Sequence, residues 1–530
     1  MLDLQTRTIK FNEPLYLESG RMLSNFKLIY ETYGTLNADK SNVIVICHAL
    51  TGSHHAAGTY AGDEKAGWWN GLIGSKKAVD TDKFYVICVN ILGSCFGSTS
   101  PLSVDRSSGK EYRLNFPVLA ISDVVKAQMR LFGELGITRA RAVIGGSLGG
   151  MQALCYAIEF PEFAQDIIML ASTYQTKPWA IAFNKIAIEA ILNDENFKNG
   201  EYDVEFIRKN GLKGMAFGRM AGHISFLSPD SMDEKFGRNY VETDGLYELS
   251  GRFQVDRYME YNGYNFPKRF DPLSYLYIVK MMNIFDCTRH YDNLKDALAP
   301  IKANLHLIAF KGDLLFPPSC MREIYDTLCE MGRGENTNFV EIDSNYGHDA
   351  FLVEIEKFDG YIKNIVVTSD ANGNIKGYLV NTTDENFDGL GKGTMRIIKD
   401  MGLKEPYVAI SNIDYSNLPN DISAFFYNSE QIPTVISLAV ECTNDGKILC
   451  AGAFMVQLLP NANEDFITKL ERKAEAIRPM NELMKGGMSL ERIINLLYDD
   501  MDTEDDSLVE EYEILEEKEI KYSCDCSAER

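Results

Sequence analysis

Ser147 stands at the centre of a GxSxG motif, Gly145 to Gly149, between a β-branched run and a stretch with helical periodicity. A sharp strand-to-helix turn forces such a serine into a strained conformation, and only small neighbours leave room for it. The motif is short enough to arise by chance as a glycine-rich turn, but the flanking strand and helix favour a catalytic serine. Ser147 is therefore the predicted nucleophile.

A serine hydroxyl of ordinary pKa needs a base, and the base needs a carboxylate that orients it. Asp313 follows the apolar run LHLIAFKG, and His348 follows FVEIDSNYG. Of the seven histidines, His348 alone combines the chain order Ser, Asp, His with a glycine-preceded loop just after a predicted strand. The sequence thus predicts a Ser147, Asp313, His348 triad. Three earlier histidines are interpreted as surface or pocket-lining residues: His48, His54 and His55.

An acyl-transfer reaction also needs backbone N–H donors for the developing oxyanion. One is expected from Leu148, the residue after the nucleophile. The second is expected from Leu50, in the small-residue turn of CHALTGSHHAAG after an early strand.

A second group with potential chemistry closes the sequence, Cys524 and Cys526 in YSCDCSAER. Thiolates bind zinc, but a structural zinc normally takes four ligands and this pair supplies two. Cys442 and Cys450 lie in or beside strand-like runs and are expected to be packed thiols. We therefore predict no metal site and no permanently bound cofactor.

The elements that position the triad form an α/β pattern. From about residue 25 to 350, β-branched runs alternate with helical stretches, as in a parallel sheet covered on both faces. Between about 173 and 294 the pattern is helical and rich in methionine and aromatic residues, which predicts a lid inserted over the end of the sheet. The most evident strands are NVIVICHA, FYVICVNIL, ARAVIGG, LHLIAF and FVEID.

The end of the chain has a different character, because no histidine or tryptophan occurs beyond Asp349. A turn at Asn372-Gly373 joins two predicted strands, another strand pair surrounds ECTNDGK, and two helices are predicted from Glu464 to about Tyr498. The following stretch contains twelve acidic residues and one lysine and is expected to be a linker. The predicted domains are 1–365, a smaller α+β segment 366–498, and the acidic tail with its cysteines, 499–530.

Composition excludes several classes of partner. The net charge of −23 argues against nucleic acids and anionic membranes. The N-terminus has no apolar core after a basic start, and no later run is long enough to span a membrane. The expected location is the cytoplasm, where the eleven scattered cysteines would remain reduced.

Over residues 5 to 365 the sequence resembles the homoserine O-acetyltransferase family of α/β-hydrolase-fold enzymes. The resemblance is carried, in order, by CHALTGSHHAAG, WWNGLIG, NILGSCFGSTSP, VIGGSLGGMQAL, RMAGHISFLS, RFDPLSY, GDLLFPP and YGHDAF. It implies a ping-pong transfer in which Ser147 takes the acetyl group of acetyl-CoA and passes it to L-homoserine, in methionine biosynthesis. It also implies a homodimer, a carboxylate-binding Arg219 and an ammonium-binding Asp349. Arg219 as a surface ion-pair partner and Asp349 as a loop cap are the alternatives that the residues alone favour.

Three departures from the family pattern leave the acyl donor and acceptor open: GSTSP, RFDPLSY, and Phe226 where a tyrosine is usual. A succinyl donor or a serine acceptor remains an alternative within the family, and a generic serine esterase remains one outside it.

From about Val366 to Arg530 the sequence resembles a redox-regulated heat-shock chaperone that senses oxidation through zinc-bound thiolates. The resemblance rests on VVTSDANGNIKGYLVN, GKGTMRIIKDMGLKEPY, SEQIPTVISLAV, AGAFMVQLLP and YSCDCSAER. It lacks the first strands of the substrate-binding domain and the distal CxxC pair. We therefore expect a fused fragment without the zinc-gated switch, which would bind unfolded clients only if the segment is functional. A redox chaperone is the competing functional class.

Overall fold

The structure is a computed structural model that describes residues 5–362 except 61, 64, 243–246 and 250. Beyond residue 362 it describes several strands, one helix and a few single residues between 483 and 496. The chain forms two compact units, the first taking in the residues up to Ile365 and the second most of those from Val366 onward.

The first unit is built on an eight-stranded sheet. The strands are β1 Gln5–Phe11, β2 Phe26–Tyr33, β3 Val43–Cys47, β4 Tyr85–Val89, β5 Ala140–Gly146, β6 Ala164–Leu170, β7 Asn304–Phe310 and β8 Thr337–Ile342. Their spatial order is β1-β2-β4-β3-β5-β6-β7-β8. The pairs β1/β2 and β2/β4 are antiparallel, and the other neighbours are parallel.

Both faces of this sheet are buried. Val43 and Val45 of β3 pack into one hydrophobic cluster, whereas Ile44 and Ile46 pack into another on the opposite side. Because side chains alternate along a strand, this division shows that each face has its own core. The five strands predicted from the sequence are present as β3, β4, β5, β7 and β8, and the structure adds β1, β2 and β6.

The helices of the first unit are α1 Ile121–Glu134, α2 Leu148–Glu159, α3 Pro178–Leu192, α4 Val204–Asn210, α5 Lys213–Phe226, α6 Pro229–Phe236, α7 Gln254–Arg269, α8 Pro272–Asn283, α9 Leu294–Leu298 and α10 Pro318–Glu330. Helices α3 to α9 separate β6 from β7, and most of them fall within the stretch 173–294. Their starts carry recognisable signals: the side chains of Asp203, Ser228 and Asp271 cap α4, α6 and α8.

Short elements complete the first unit. They are the strand pairs Leu15–Tyr16 with Met22–Leu23 and Ile73–Gly74 with Val79–Asp80, the helical turns Ala350–Val353 and Asp359–Ile362, and the 3₁₀ turns Arg113–Asn115, Glu195–Gly200, Gly334–Asn336, Gly347–Asp349 and Ile355–Lys357.

The described residues of the second unit form three antiparallel strand pairs and helix α11, Leu418–Glu430. The pairs are β9 Val366–Ser369 with β10 Ile375–Tyr378, β11 Gly393–Lys399 with β12 Tyr407–Ile413, and β13 Thr434–Cys442 with β14 Ile448–Gln457. Four predicted features lie outside the described residues: the turn at Asn372-Gly373, most of the stretch 464–498, the acidic linker, and Cys524 with Cys526. No helix in the described part of the chain is both long enough and apolar enough to cross a membrane.

Candidate active site

Ser147 lies on a tight turn between the end of β5 and the start of α2. Its backbone adopts φ 57° and ψ −123°, a strained conformation for a residue with a side chain. The Ser147 N–H donates to the Leu170 carbonyl at 2.9 Å, which fixes the turn against β6. A Cβ at Gly145 would lie 2.2 Å from the Gly149 carbonyl oxygen, and one at Gly149 would lie 2.0 Å from the Cys47 oxygen. The motif therefore needs glycine at both positions.

The structure brings together the three residues predicted as a triad. His348 Nε2 lies 2.8 Å from Ser147 Oγ, and His348 Nδ1 lies 2.8 Å from Asp313 Oδ2. Because an ionised carboxylate only accepts hydrogen bonds, Nδ1 carries the proton and Nε2 is free to accept that of Ser147. The other Asp313 oxygen accepts the N–H groups of Leu315 and Phe316 at 2.9 and 2.8 Å. The carboxylate orientation is thus fixed by backbone.

The surroundings of His348 tune its basicity. Burial alone would lower the pKa of His348, but the charge and hydrogen bond of Asp313, together with the charge of Asp349, hold that pKa above its ordinary value. The rings of Phe226, Phe316 and Phe351 surround the imidazole at centroid distances of 6.1, 5.3 and 5.8 Å. This environment is suited to a base that must carry a proton briefly and release it.

The two predicted oxyanion donors lie on neighbouring segments. Leu148 is the first residue of α2, so its N–H has no partner within the helix. Leu50 lies in the turn after β3. The end of β3 contacts the first turn of α2 closely at Gly149. In the described part of the chain, neither the Leu50 N–H nor the Leu148 N–H donates to a protein acceptor. Both remain available to a ligand oxygen.

Arg219 and Asp349 contribute opposite charges near the triad. Arg219, on α5, stacks its guanidinium over the rings of Phe226 and Phe266 at 5.2 and 4.8 Å. Burial raises the pKa of Asp349, and the charges of His348 and Arg219 oppose that rise. Among the described residues, neither Arg219 nor Asp349 has a salt-bridge partner within 4.0 Å, so both charges can pair with a ligand.

Sequence reasoning missed two buried polar residues at the site. His48 was expected at the surface or a pocket wall, but it is fully buried because its loop folds back between β4 and α2. Gln152 was not singled out, although its spacing of four residues from Leu148 places it on the same helix face. His54 and His55 are partly buried and lie beside the Glu31 carboxylate, at 3.9 and 3.0 Å.

Comparison with known proteins gives two family matches. The model described as "alpha/beta hydrolase fold" matches residues 42–355. The chain is 59% identical over 362 residues to the homoserine O-acetyltransferase of Sulfurimonas autotrophica, an alignment that covers 68% of this chain and 98% of the relative. The chain belongs to the homoserine O-acetyltransferase family.

Other members and a solved structure agree with this assignment to the homoserine O-acetyltransferases. The Nautilia profundicola enzyme is 56% identical, with 69% of this chain and 99% of the relative covered. The crystal structure of the Bacillus anthracis homoserine O-acetyltransferase superimposes with a TM-score of 0.63 at 30% identity, covering 68% of this chain and 97% of that one. The structure of esterase E22 is similar to the same degree, with a TM-score of 0.62, 31% identity and coverage of 68% and 98%.

The remainder of this homoserine O-acetyltransferase family member matches a second family, "Hsp33 protein", over residues 344–530. The match begins before Val366, where the sequence resemblance was placed, and overlaps the hydrolase match at 344–355. The chain is therefore a fusion of the two families. In the described part of the chain no cluster of three or more His, Cys, Asp or Glu could hold a metal.

Proposed function

We propose that this chain transfers the acetyl group of acetyl-CoA to the hydroxyl of L-homoserine, giving O-acetyl-L-homoserine and CoA. The observation that carries the proposal is that Arg219 and Asp349 place opposite charges beside Ser147 and His348, and that neither has a salt-bridge partner among the described residues. A hydrolase needs no such pair, whereas an amino-acid acceptor has a carboxylate and an ammonium group to place. The name of the relatives, which align over nearly their full length, supports the same reaction.

The first half-reaction acylates Ser147. Its Oγ attacks the thioester carbonyl while its proton moves to His348 Nε2, 2.8 Å away. The N–H groups of Leu50 and Leu148 donate to the oxyanion of the tetrahedral intermediate. When the C–S bond breaks, the imidazolium returns the proton to the CoA thiolate, and acetyl-serine remains. Asp313 stabilises the imidazolium and keeps the imidazole in one tautomer.

The second half-reaction transfers the acetyl group to the acceptor. Arg219 binds the homoserine carboxylate and Asp349 its ammonium group, which places the hydroxyl near the acetyl-serine carbonyl. His348 takes the hydroxyl proton, the oxygen attacks, and the intermediate collapses as Ser147 recovers that proton. Because the acceptor is held by two charges and water is not, transfer competes successfully with hydrolysis.

The test is a CoA-release assay on the full chain with acetyl-CoA or succinyl-CoA, offering homoserine, serine or no acceptor. The proposal expects fast thiol release with acetyl-CoA and homoserine together, and its loss in Ser147→Ala. Faster release with succinyl-CoA, or with serine, would assign one of the alternatives within the family. Release that ignores every acceptor would indicate a hydrolase, the activity named for the esterase E22 structure.

Exposed apolar residues on the lid support a homodimer as the assembly. Trp179 and Ile186 on α3, and Phe217 and Ile224 on α5, are each more than half exposed. Each pair is seven residues apart, which puts both members on one helix face. Because α3 and α5 pack against each other, the two faces can form one patch of the kind that protein interfaces bury.

For the Hsp33-like segment we propose that Cys524 and Cys526, which supply two thiolates, do not by themselves form a zinc-gated switch, because a structural zinc normally takes four ligands. The test measures zinc content together with suppression of client aggregation before and after peroxide treatment. One zinc per chain, released by peroxide with a gain of that suppression, contradicts the proposal. Suppression that survives in Ser147→Ala would assign it to this segment.

A further inference from the structure

A buried chain of side-chain amides runs from the interior of the first unit to the backbone beside Ser147. The Tyr156 hydroxyl donates to Gln128 Oε1 at 2.6 Å, and Gln128 Nε2 donates to Gln152 Oε1 at 3.2 Å. Each hydrogen bond fixes the orientation of the next amide. The oxygen of Gln152 therefore faces Gln128, and its NH₂ group faces the backbone beside Ser147. Gln152 itself is fully buried.

The NH₂ group of Gln152 bridges two backbone segments. Its Nε2 lies 3.1 Å from the His48 carbonyl oxygen and 3.5 Å from the Leu148 carbonyl oxygen. The first carbonyl belongs to the segment that leads into Leu50, and the second belongs to the residue after Ser147. One side chain therefore ties together the two segments that carry the oxyanion donors.

The His48 ring also holds the backbone of the segment that leads into Leu50, through hydrogen bonds of both its nitrogens. The Ile91 N–H donates to His48 Nε2 at 3.0 Å, so the ring proton is on Nδ1, which donates to the Ala49 carbonyl at 2.9 Å. The Gly52 N–H donates to the same carbonyl at 3.0 Å. Burial lowers the pKa of His48 to about 4, so the ring stays neutral in this tautomer near neutral pH.

Fixing the Ala49 carbonyl also directs the Leu50 N–H, because both belong to one planar peptide group. In a trans peptide the C=O and N–H point in opposite directions. With that carbonyl held toward His48 and Gly52, the Leu50 N–H points the other way and has no acceptor among the described residues. The oxyanion donor is thus directed by bonds on the opposite side of its own peptide.

We propose that Gln152 and His48 are positioning residues for the acyl-transfer reaction, which set the separation and direction of the Leu50 and Leu148 N–H donors. The inference rests on the proposed function only through the acyl chemistry of Ser147, and it does not depend on which acceptor is used.

The experiment compares the full chain with Gln152→Met, which keeps the length of the side chain and removes the two hydrogen bonds that Gln152 donates together with the one it accepts from Gln128. The readouts are the acylation rate with p-nitrophenyl acetate, the affinity for a trifluoromethyl ketone that adds to Ser147, and KM for acetyl-CoA. Removing one oxyanion donor outright lowers kcat by about 10²–10³-fold, so misdirected donors should lower the acylation rate by about 10- to 100-fold. We expect that loss in acylation rate and in ketone affinity alike, with KM changed by less than about twofold.

A second pair of variants keeps the proposal testable if Gln152→Met fails to fold. His48→Asn retains an amide donor near the Nδ1 position and should keep most of the ketone affinity, whereas His48→Leu should lose it. The matched control is Thr176→Val, which deletes another buried side-chain donor, from Thr176 to the Met282 carbonyl at 2.5 Å in the lid. It should lower the unfolding midpoint and leave acylation unchanged.

The proposal would be overturned if the ketone affinity of Gln152→Met stayed within about twofold of the unmodified chain. It would also be overturned if His48→Asn and His48→Leu lost equal amounts of ketone affinity, or if the unmodified chain formed no ketone adduct. If the ketone and ester results hold but homoserine does not accept the acetyl group, the proposed function fails while the positioning role stands.

Discussion

Asp349 follows His348 in the chain and lies within electrostatic reach of Arg219, yet no salt bridge within 4.0 Å joins Arg219 to Asp349. Arg219 is held instead against the rings of Phe226 and Phe266. Two half-buried opposite charges that do not neutralise each other are costly unless a ligand completes them. A zwitterionic amino acid has the complementary pair of charges.

Arg219→Lys and Asp349→Asn should each raise KM for homoserine by about 10- to 100-fold, the usual value of a charge-assisted hydrogen bond. Lysine keeps the charge of Arg219 but loses its planar fork, so it should not rescue binding. Initial-rate kinetics with homoserine as the varied substrate measure this effect.

The control for these two variants is hydrolysis of p-nitrophenyl acetate, which has no charges to place and should change by less than about threefold. An equal loss of ester hydrolysis and homoserine transfer would show that the variants damage the triad rather than the acceptor site.

Activity should be lost as the pH falls through the pKa of His348, because only the neutral imidazole accepts a proton. That pKa is raised above its ordinary value of 6.5, so the acidic limb of kcat/KM should lie above 6.5. Asp313→Asn removes the charge that raises it, so the limb should move to lower pH while kcat falls by about 10⁴-fold. A limb that stays in place or moves to higher pH in Asp313→Asn would contradict this assignment.

Gly149→Ala should abolish most of the activity and lower the unfolding temperature, since its Cβ would overlap the Cys47 carbonyl oxygen. Gly133 on α1 is the matched control, because nothing lies within 4 Å of a Cβ placed there. Gly133→Ala should stabilise the chain by about 0.5–1 kcal/mol through helix propensity and leave the kinetics unchanged. Equal thermal shifts in both variants would argue against the close approach at Gly149.

Ile186→Asp and Ile224→Asp should convert a dimer to a monomer, because each places a charge in the exposed apolar patch of α3 and α5. Light scattering after size exclusion measures the mass. Val104→Asp changes an equally exposed residue outside the lid and should leave the mass unchanged. A monomeric unmodified chain, or a dimer in all three variants, would rule out this interface.

The parts of the site that sequence reasoning could predict are those with a local signature. Ser147 lies in a motif that only one kind of turn accommodates, and Asp313 and His348 each follow a strand in the expected order. The structure places His348 within hydrogen-bonding distance of both Ser147 and Asp313. Strands β3 and β4 were equally evident, because they are buried at every position and apolar throughout. The inner strand β6 was missed because the polar residues Gln165 and Asp166 lie near its start.

Residues whose role depends on tertiary contacts have no local sequence signature and could not be predicted from the sequence. His48 is remote in sequence from Ile91 and Gln152, and its burial arises only when the β3 turn packs between β4 and α2. Strands β1 and β2 lie at an antiparallel edge, with a weaker apolar signal than the parallel strands. Residues from 499 onward, including Cys524 and Cys526, lie outside the described part of the chain, and their predictions stand as made.

The most direct measurement is the mass of the full chain after incubation with acetyl-CoA alone, followed by peptide mapping. We expect one acetyl group on Ser147 that is discharged rapidly by L-homoserine, slowly by water, and not formed in Ser147→Ala. An acetyl group on another residue, or one on Ser147 that homoserine does not discharge faster than water does, would contradict the proposed function.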